Sequence, residues 1–415
     1  MASLAWMAST ALLLAGGSSG CGGAQDSRPA SAPATLASQE APSTGSASDA
    51  KSGAASTAAQ APGEPAAEPP SPSEVASRTI DSLRDAFNAH DADKVAEQYT
   101  PDCVVETYTG PALHGRSEVA DDARRTFAGF GDAKTAPLRG WVKDHVVVSE
   151  VAWTGTQSGE YLGIKPGGKP VGLVALRVLH LTDDGHVAEA HEYADAAGLV
   201  AQMAGKRWAP PPPILPVNDL ALHVAKDSPD EDKLAAWAKG LDDVYATENA
   251  KNVAATVSDG ADYWTNFGGP AVKGKRAIEK SLTAWFKAFP DQKWESKEAW
   301  GVDGFAIVEH TMTGTQKGAL PVGAGAMADG LVPYAAYAAH AAHRASNKPV
   351  TGWRRVDILQ PAAEGTVLHG WGFTNVMEML QQTGAIKAPA DLTTTKPAPP
   401  LTQLAHKKSV PAAAK

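Results

Sequence analysis

The chain of 415 residues is 43% hydrophobic, with 39 glycines, 30 prolines and a formal net charge of −9. That length is about three domains at ~150 residues each, but the glycines and prolines gather in places that bury nothing, so part of the chain stays outside any core. Acidic balance without long runs of one sign excludes a nucleic-acid footprint, and two cysteines, Cys21 and Cys103, exclude a disulfide framework.

Leu4 to Gly16 is an apolar run of signal-peptide length, too short for a permanent membrane-spanning helix. Ser18-Ser19-Gly20-Cys21 follows and resembles the bacterial lipobox, with Ser18 in place of the usual leucine and no Lys or Arg before Ala5. The resemblance implies that residues 1–21 are an export signal, that Cys21 is acylated, and that the protein is an extracytoplasmic, membrane-anchored lipoprotein; an ordinary secreted protein is the alternative. Residues 22–71 are mostly Ala, Ser, Pro, Gly and Thr and cannot offset the entropy of ordering. They are expected to form a flexible tether that holds the folded part away from the membrane.

A first folded unit is expected over residues 72–206. Val75, Ile80, Leu83, Phe87 and Val95 recur at helical spacing behind Ser73 as N-cap. Cys103 to Tyr108 reads as a strand, with Cys103 as a small buried apolar residue, and Ser117 to Phe127 as a helix. Strands are expected at Trp141 to Val148, Glu150 to Thr156, Val171 to Leu181 and His186 to Tyr193, with Asp183-Asp184-Gly185 as a hairpin turn. Residues 207–227 form a linker stiffened by Pro210 to Pro213.

The second unit, 228–387, repeats the first. Its opening helix carries Leu234, Trp237, Leu241, Val244 and Tyr245; a strand at Tyr263 to Phe267 and a helix at Lys275 to Phe289 follow. Gly110-Pro111-Ala112-Leu113-His114-Gly115-Arg116 is echoed by Gly269-Pro270-Ala271-Val272-Lys273-Gly274-Lys275, and Thr154-Gly155-Thr156-Gln157 by Thr313-Gly314-Thr315-Gln316, at the same separation both times. Lys169-Pro170-Val171 and Lys348-Pro349-Val350 lie further apart, which places an insertion at about 319–345 in the second copy. Its Tyr334, Tyr337, His340 and His343 recur every third residue and would share one side of a helix; no carboxylate or cysteine joins the histidines, so no metal site is expected. Residues 388–415 form a tail expected to be disordered. Helices followed by a meander of strands argue an α+β fold with helices on one face of a curved antiparallel sheet.

Gly155-Thr156-Gln157-Ser158-Gly159-Glu160-Tyr161-Leu162-Gly163-Ile164 and Pro166-Gly167-Gly168-Lys169-Pro170-Val171 resemble the signature of SnoaL-like polyketide cyclases. Asp195 to Met203 resembles their closing helix, and Ala288-Phe289-Pro290-Asp291 the segment after their third helix. The resemblance implies two tandem NTF2-like cones, each wrapping a bent sheet around a helix and an interior pocket for a small hydrophobic molecule. Fold alone does not settle function among cyclases, isomerases, epoxide hydrolases and binding domains.

In that family a carboxylate near the end of the last strand serves as general acid or base. The matching segment is Val187 to Asp195, and strict alternation puts Val187, Glu189, His191 and Tyr193 on one face and Glu192 on the other. Glu189, His191 and Asp195 are therefore the catalytic candidates, for cofactor-free proton transfer in a cyclase or isomerase. A structural cluster for the first two and a helix N-cap for Asp195 are the alternatives. Tyr108, Trp153, Tyr193, Trp264, His369 and Trp371 are expected to line ligand sites. The second copy has His369 and Trp371 where the first has Glu189 and His191 and no carboxylate on that strand, so it is expected to bind or support, with the two domains paired through their sheets as an internal pseudo-dimer. A non-catalytic binding lipoprotein is the competing reading of the whole.

Overall fold

The computed structural model describes residues 70–205, 221–266, 271–319 and 345–384. The lipobox cysteine Cys21, the tether, the proline run, the four aromatic and histidine residues of the insertion and the tail lie outside them. Both folded domains belong to one compact unit, Ala67–Lys415.

The first domain opens with helix α1, Pro72–Asn88, whose N-cap is Ser71 rather than Ser73. Ser71 and Glu74 form a reciprocal capping box, which the Ser-Pro-x-Glu order makes available because proline at the first helical position needs no hydrogen-bond partner. The same box, Ser228 with Glu231, starts the second domain. Helices α2 (Ala92–Glu97) and α3 (Gly115–Gly129) complete the helical layer. They cover one face of a sheet made of β1 (Tyr99–Glu106), β2 (Leu113–His114), β3 (Lys134–Lys143), β4 (Val146–Thr156), β5 (Pro170–Leu181) and β6 (Val187–Tyr193), and α4 (Ala196–Met203) closes the domain. The strand expected at Trp141 to Val148 is in fact the β3–β4 hairpin, broken by Asp144, which takes the left-handed conformation at φ 51°.

Part of the expected linker folds. Residues Ala221–Val224 form β7, parallel to β3 at the sheet's edge, in the order β2-β1-β6-β5-β4-β3-β7. The second domain then repeats the plan with α5 (Pro229–Tyr245), α6 (Ala250–Ala255), β8 (Val257–Thr265), β9 (Val272–Lys273), α7 (Lys275–Ala288), β10 (Lys293–Val302), β11 (Phe305–Thr315), β12 (Pro349–Pro361), β13 (Val367–Thr374) and α8 (Val376–Gln382). Its sheet order is β10-β11-β12-β13-β8-β9.

The T-G-T-Q-x-G repeat is structural. In each copy the loop after β4 or β11 bonds back to the end of the helix, Ser158 and Gly159 N–H to the Gly129 carbonyl, Lys317 and Gly318 N–H to that of Ala288. An aspartate accepts from the second threonine's N–H, Asp132 from Thr156 at 2.6 Å and Asp291 from Thr315 at 2.7 Å.

The outer faces of the two sheets meet. Trp141, Val148, Leu176, Val178 and Tyr193 of the first share one buried cluster with Trp300, Val302, Ile307, Val356, Ile358 and Phe373 of the second. Within this apolar contact Glu309 is only 4% exposed and accepts from His191 Nδ1 at 2.8 Å and from the Tyr193 hydroxyl. His191 Nε2 donates to Glu189 at 2.9 Å, and Arg354 pairs with Glu106. Burial alone would lower the His191 pKa, but Glu309, Glu189 and Glu106 outweigh it and carry it from 6.5 to about 10.

Because the folded pKa lies above the unfolded one, His191 stabilises the folded state in full below about pH 6.5 and loses that contribution as pH rises toward 10. His191→Gln is expected to flatten this alkaline decline in urea midpoints. Glu309→Ala, which leaves His191 Nδ1 and the Tyr193 hydroxyl without their shared buried acceptor, is expected to cost about 3–5 kcal/mol; equal alkaline slopes for His191→Gln and wild type would refute the assignment.

Candidate functional site in the first cone

Strict alternation fails on β6 at one residue. Val187 pairs with Leu181 and Glu189 with His180, so Ala188 has no partner on β5, and the β1 register shifts at the same place. Such a bulge reverses the phase of everything after it. Val187 and Ala190 lie in the helix-facing core, Glu192 faces the cone beyond them, and Glu189, His191 and Tyr193 turn to the other sheet. The expectation that Glu189 and His191 share the cavity with Val187 is corrected on this ground: strand period was read across a bulge. Leu368 makes the same bulge in β13, which turns His369, Trp371 and Phe373 outward.

The remaining candidates divide similarly. Asp195 caps α4, accepting from Gly198 N–H at 2.8 Å. Trp153 lies inside the first cone, edge-on to Phe130 with centroids 4.9 Å apart, and Tyr108 packs at the same end. Trp264 meets Phe373 at 5.3 Å between the sheets. Trp371, also there, lies under Arg139 at 4.5 Å, and His369 Nδ1 bonds Asp262 at 2.7 Å.

Residues not singled out from sequence occupy the first cone. Arg177, on the inward phase of β5, pairs with Glu192 Oε1 at 3.2 Å at an angle that makes no hydrogen bond. Its buried Nε and the buried Ser149 hydroxyl therefore lack hydrogen-bond partners. Both residues line a cleft between α1 and the sheet together with Ile80, Leu83, Thr135 and Val151. Burial raises the Glu192 carboxyl above its ordinary 4.5, against Arg177, which lowers it, and with Asp122, which adds to the rise. Burial likewise pushes the Tyr99, Tyr108 and Tyr161 phenols up, so all three remain protonated donors.

The second cone holds a different arrangement. Asp357 accepts from Arg355 Nε and Nη2 at 2.7–2.9 Å and from the Tyr263 hydroxyl. His310 lies between Asp242, 3.1 Å from Nδ1, and Asp357, 3.5 Å from Nε2. Burial pushes the Asp357 carboxyl up, but Arg355 and His310 overcome this and hold it far below the usual carboxylate range. Burial lowers His310, and its two aspartates still bring it to about 9. A carboxylate so saturated with donors is a poor base. Among the described residues, no group of three or more His, Cys, Asp or Glu is arranged to hold a metal ion.

Comparison with known proteins agrees with this plan. Residues 77–203 match the family model described as SnoaL-like polyketide cyclase, and residues 238–359 that described as SnoaL-like domain. The chain thus carries two SnoaL-like domains of NTF2-like α+β fold in tandem. Similar solved structures include a protein described as a SnoaL-like polyketide cyclase from Jannaschia sp. CCS1, 22% identical, covering 35% of this chain and 100% of that one with TM-score 0.31. IdmH of Streptomyces antibioticus, described as a polyketide cyclase, is 26% identical over 31% of this chain and 98% of its own, TM-score 0.28. An epoxide hydrolase of M. tuberculosis described as LEH-like is 17% identical over 32% and 91%, TM-score 0.27. No curated protein matches the chain.

Glycines on β13 make the second cone's network possible. A Cβ on Gly372 would sit 2.2 Å from Arg355 Nη2, and one on Gly370 would sit 2.3 Å from the Tyr263 ring. Gly372→Ala is therefore expected to destabilise by about 1–3 kcal/mol in urea unfolding; an unchanged midpoint would mean that Arg355 moves aside freely.

Proposed function

We propose that the first cone performs cofactor-free acid–base chemistry on a small hydrophobic carbonyl compound, of cyclase or isomerase type, and that the second domain supports it without turnover. The observation that carries this reading is the buried Ser149 hydroxyl without a hydrogen-bond partner, next to Arg177, whose Nε meets Glu192 as an ion pair at 3.2 Å but in poor hydrogen-bond geometry, and the carboxyl whose proton affinity burial has raised. Buried donors without acceptors are costly, and an anionic oxygen of a ligand satisfies both at once. In the reaction, Glu192 takes the proton from the carbon next to the carbonyl. The electron pair of that C–H bond moves onto the carbonyl oxygen, facing Arg177 and Ser149. The proton then returns to another carbon of the conjugated enolate, which isomerises the compound, or the enolate carbon bonds to a second carbonyl carbon of the same molecule, whose C=O π pair moves onto its own oxygen and takes the proton back from Glu192, closing a ring that bears a hydroxyl.

The saturated Asp357 and the absence of any carboxylate on β13 favour binding or support for the second domain. On this reading the two domains work as an internal pseudo-dimer, with Glu309 joining the sheets. The lipobox-like Ser18 to Cys21 supports the further reading that the protein is exported and anchored at the membrane by an acylated Cys21.

Glu192→Gln is expected to lower turnover by at least ~10²-fold for whichever carbonyl compound a thermal-shift screen identifies, while binding persists. The wild-type rate should rise with pH through an apparent pKa above 4.5, because Glu192 is a base only once deprotonated. Wild-type turnover by the variant would overturn the assignment. In a bacterial host, Cys21→Ser is expected to lose palmitate label and leave the membrane fraction; label retained by that variant would refute the anchor.

A further inference from the structure

The two sheets end differently at equivalent edges. In the first, the outer side of β3 is covered along its length. Asn88 bonds both the N–H and the carbonyl of Thr135, at 2.8 and 2.9 Å, Pro137 has no N–H to offer, and β7 pairs with Arg139 to Val142. Leu222 of β7 packs with Ile80 of α1 over Gly140. In the second sheet β10 repeats β3, including the bulge, which falls between Pro137 and Arg139 in one and between Ser296 and Glu298 in the other. Trp294, Ser296, Ala299 and Gly301 take the places of Thr135, Pro137, Gly140 and Val142. They turn their backbone groups away from β11, and among the described residues no hydrogen bond meets them there. The helix beside this edge is also less covered: Leu234, Trp237 and Leu241 of α5 are half-buried, whereas α1 buries Val75, Ala76, Ile80 and Leu83.

The chain carries a second segment like β7. Pro210 to Pro213 precede Leu220-Ala221-Leu222-His223, with Lys226 beyond; after α8, Pro397, Pro399 and Pro400 precede Leu404-Ala405-His406, with Lys407 and Lys408 beyond. Leu404 follows Gly384 by 20 residues and Leu220 follows Gly205 by 15, so the second segment has at least the reach of the first. Charge fits as well. Asp303, at the β10–β11 turn, holds His223 at 3.0 Å and Lys226 at 2.8 Å. Its counterpart at the β3–β4 turn, Asp144, has the same left-handed backbone, is exposed, and has no ion-pair partner among the described residues. The contact between the sheets repeats with the copies exchanged: His191 meets Glu309, and its counterpart Trp371 lies under Arg139, which pairs with Glu150, the counterpart of Glu309. Asp144 therefore stands to the β10 edge as Asp303 stands to β7.

We infer that the outer edge of β10 is the docking site of this chain's own C-terminal segment, Leu401–Lys408, added in parallel as β7 is added to β3. Backbone hydrogen bonds then meet Ala299 and Gly301, Leu404 covers α5 as Leu222 covers α1, and the lysines approach Asp144. The inference is independent of the chemistry assigned to Glu192, because no residue inside the first cone takes part.

The test is amide exchange at Ala299 and Gly301 in the full chain. Ala405→Pro removes an N–H from the docked segment and Leu404→Asp removes its apolar contact, and neither replaces a residue of the folded domains. Both should speed exchange at Ala299 and Gly301 about ten-fold, the value of one ladder hydrogen bond, while Ala413→Pro, beyond the segment, leaves the rates alone. Rates equal to wild type in both Ala405→Pro and Leu404→Asp would overturn the docking. Protection that rises with protein concentration, together with a dimer in light scattering, would give the edge to a second copy and overturn it too.

Discussion

Ala188 and Leu368 each stand in the last strand of their sheet with no partner on the strand before, and the faces taken by Glu189, His191, Glu192 and Tyr193 follow from that. A strand has two faces, and one added residue exchanges them for all that follows. Without the bulge, Glu192 would sit against the second domain and Glu189, His191 and Tyr193 would crowd the cone. With it, the carboxylate nearest to Arg177 is enclosed, and an imidazole and a phenol reach Glu309 across the interface.

Each cone encloses one arginine–carboxylate pair, but the two are built from different positions. In the first, Arg177 and Glu192 face each other across neighbouring strands. In the second, Asp357 stands in the register of Arg177, its neighbour on the last strand is Gly372, and Arg355 fills the space that glycine leaves. A pair on one strand can be gripped at both oxygens, whereas the pair across strands meets at a poor angle and leaves a donor over. The first arrangement leaves hydrogen-bonding capacity of Arg177 Nε unmet, whereas in the second Arg355 spends both Nε and Nη2 on Asp357.

Much of the architecture was legible in the sequence because it rests on repeated local chemistry. The in-register Gly-Pro and Thr-Gly-Thr-Gln echoes mark turns and loop anchors that backbone geometry demands twice, and helical spacing from Val75 to Phe87 locates α1 within a residue or two, although Val95, read in the same run, belongs to the separate helix α2. Asp195, set among the catalytic candidates with a helix cap as the alternative, caps α4. The interior of the cone was not legible, since alternation carries no sign of a bulge: Ala188 is an unremarked small residue, and nothing before it announces that the phase will reverse. Arg177 lay inside an apolar strand where its partner, Glu192, is fifteen positions distant in sequence, and only the β5–β6 register brings them together.

The interface explains why the two copies have diverged in a complementary way. An outward-facing Glu309 in an apolar contact is tolerable only if donors meet it, and the donors, His191 and Tyr193, come from the bulged strand of the other copy. The corresponding positions on β13 are Trp371 and Phe373, which carry no matching basic group and add apolar area instead. Charges cross the contact in both directions, His191 of the first copy meeting Glu309 of the second and Arg354 of the second meeting Glu106 of the first. Partner removal from a buried ion pair costs more than the pair itself contributes, so loss of either side of the junction leaves a buried charge poorly compensated. Because His191 and Tyr193 flank Glu192 in the chain, the same junction fixes the backbone on both sides of the carboxylate that faces the first cone.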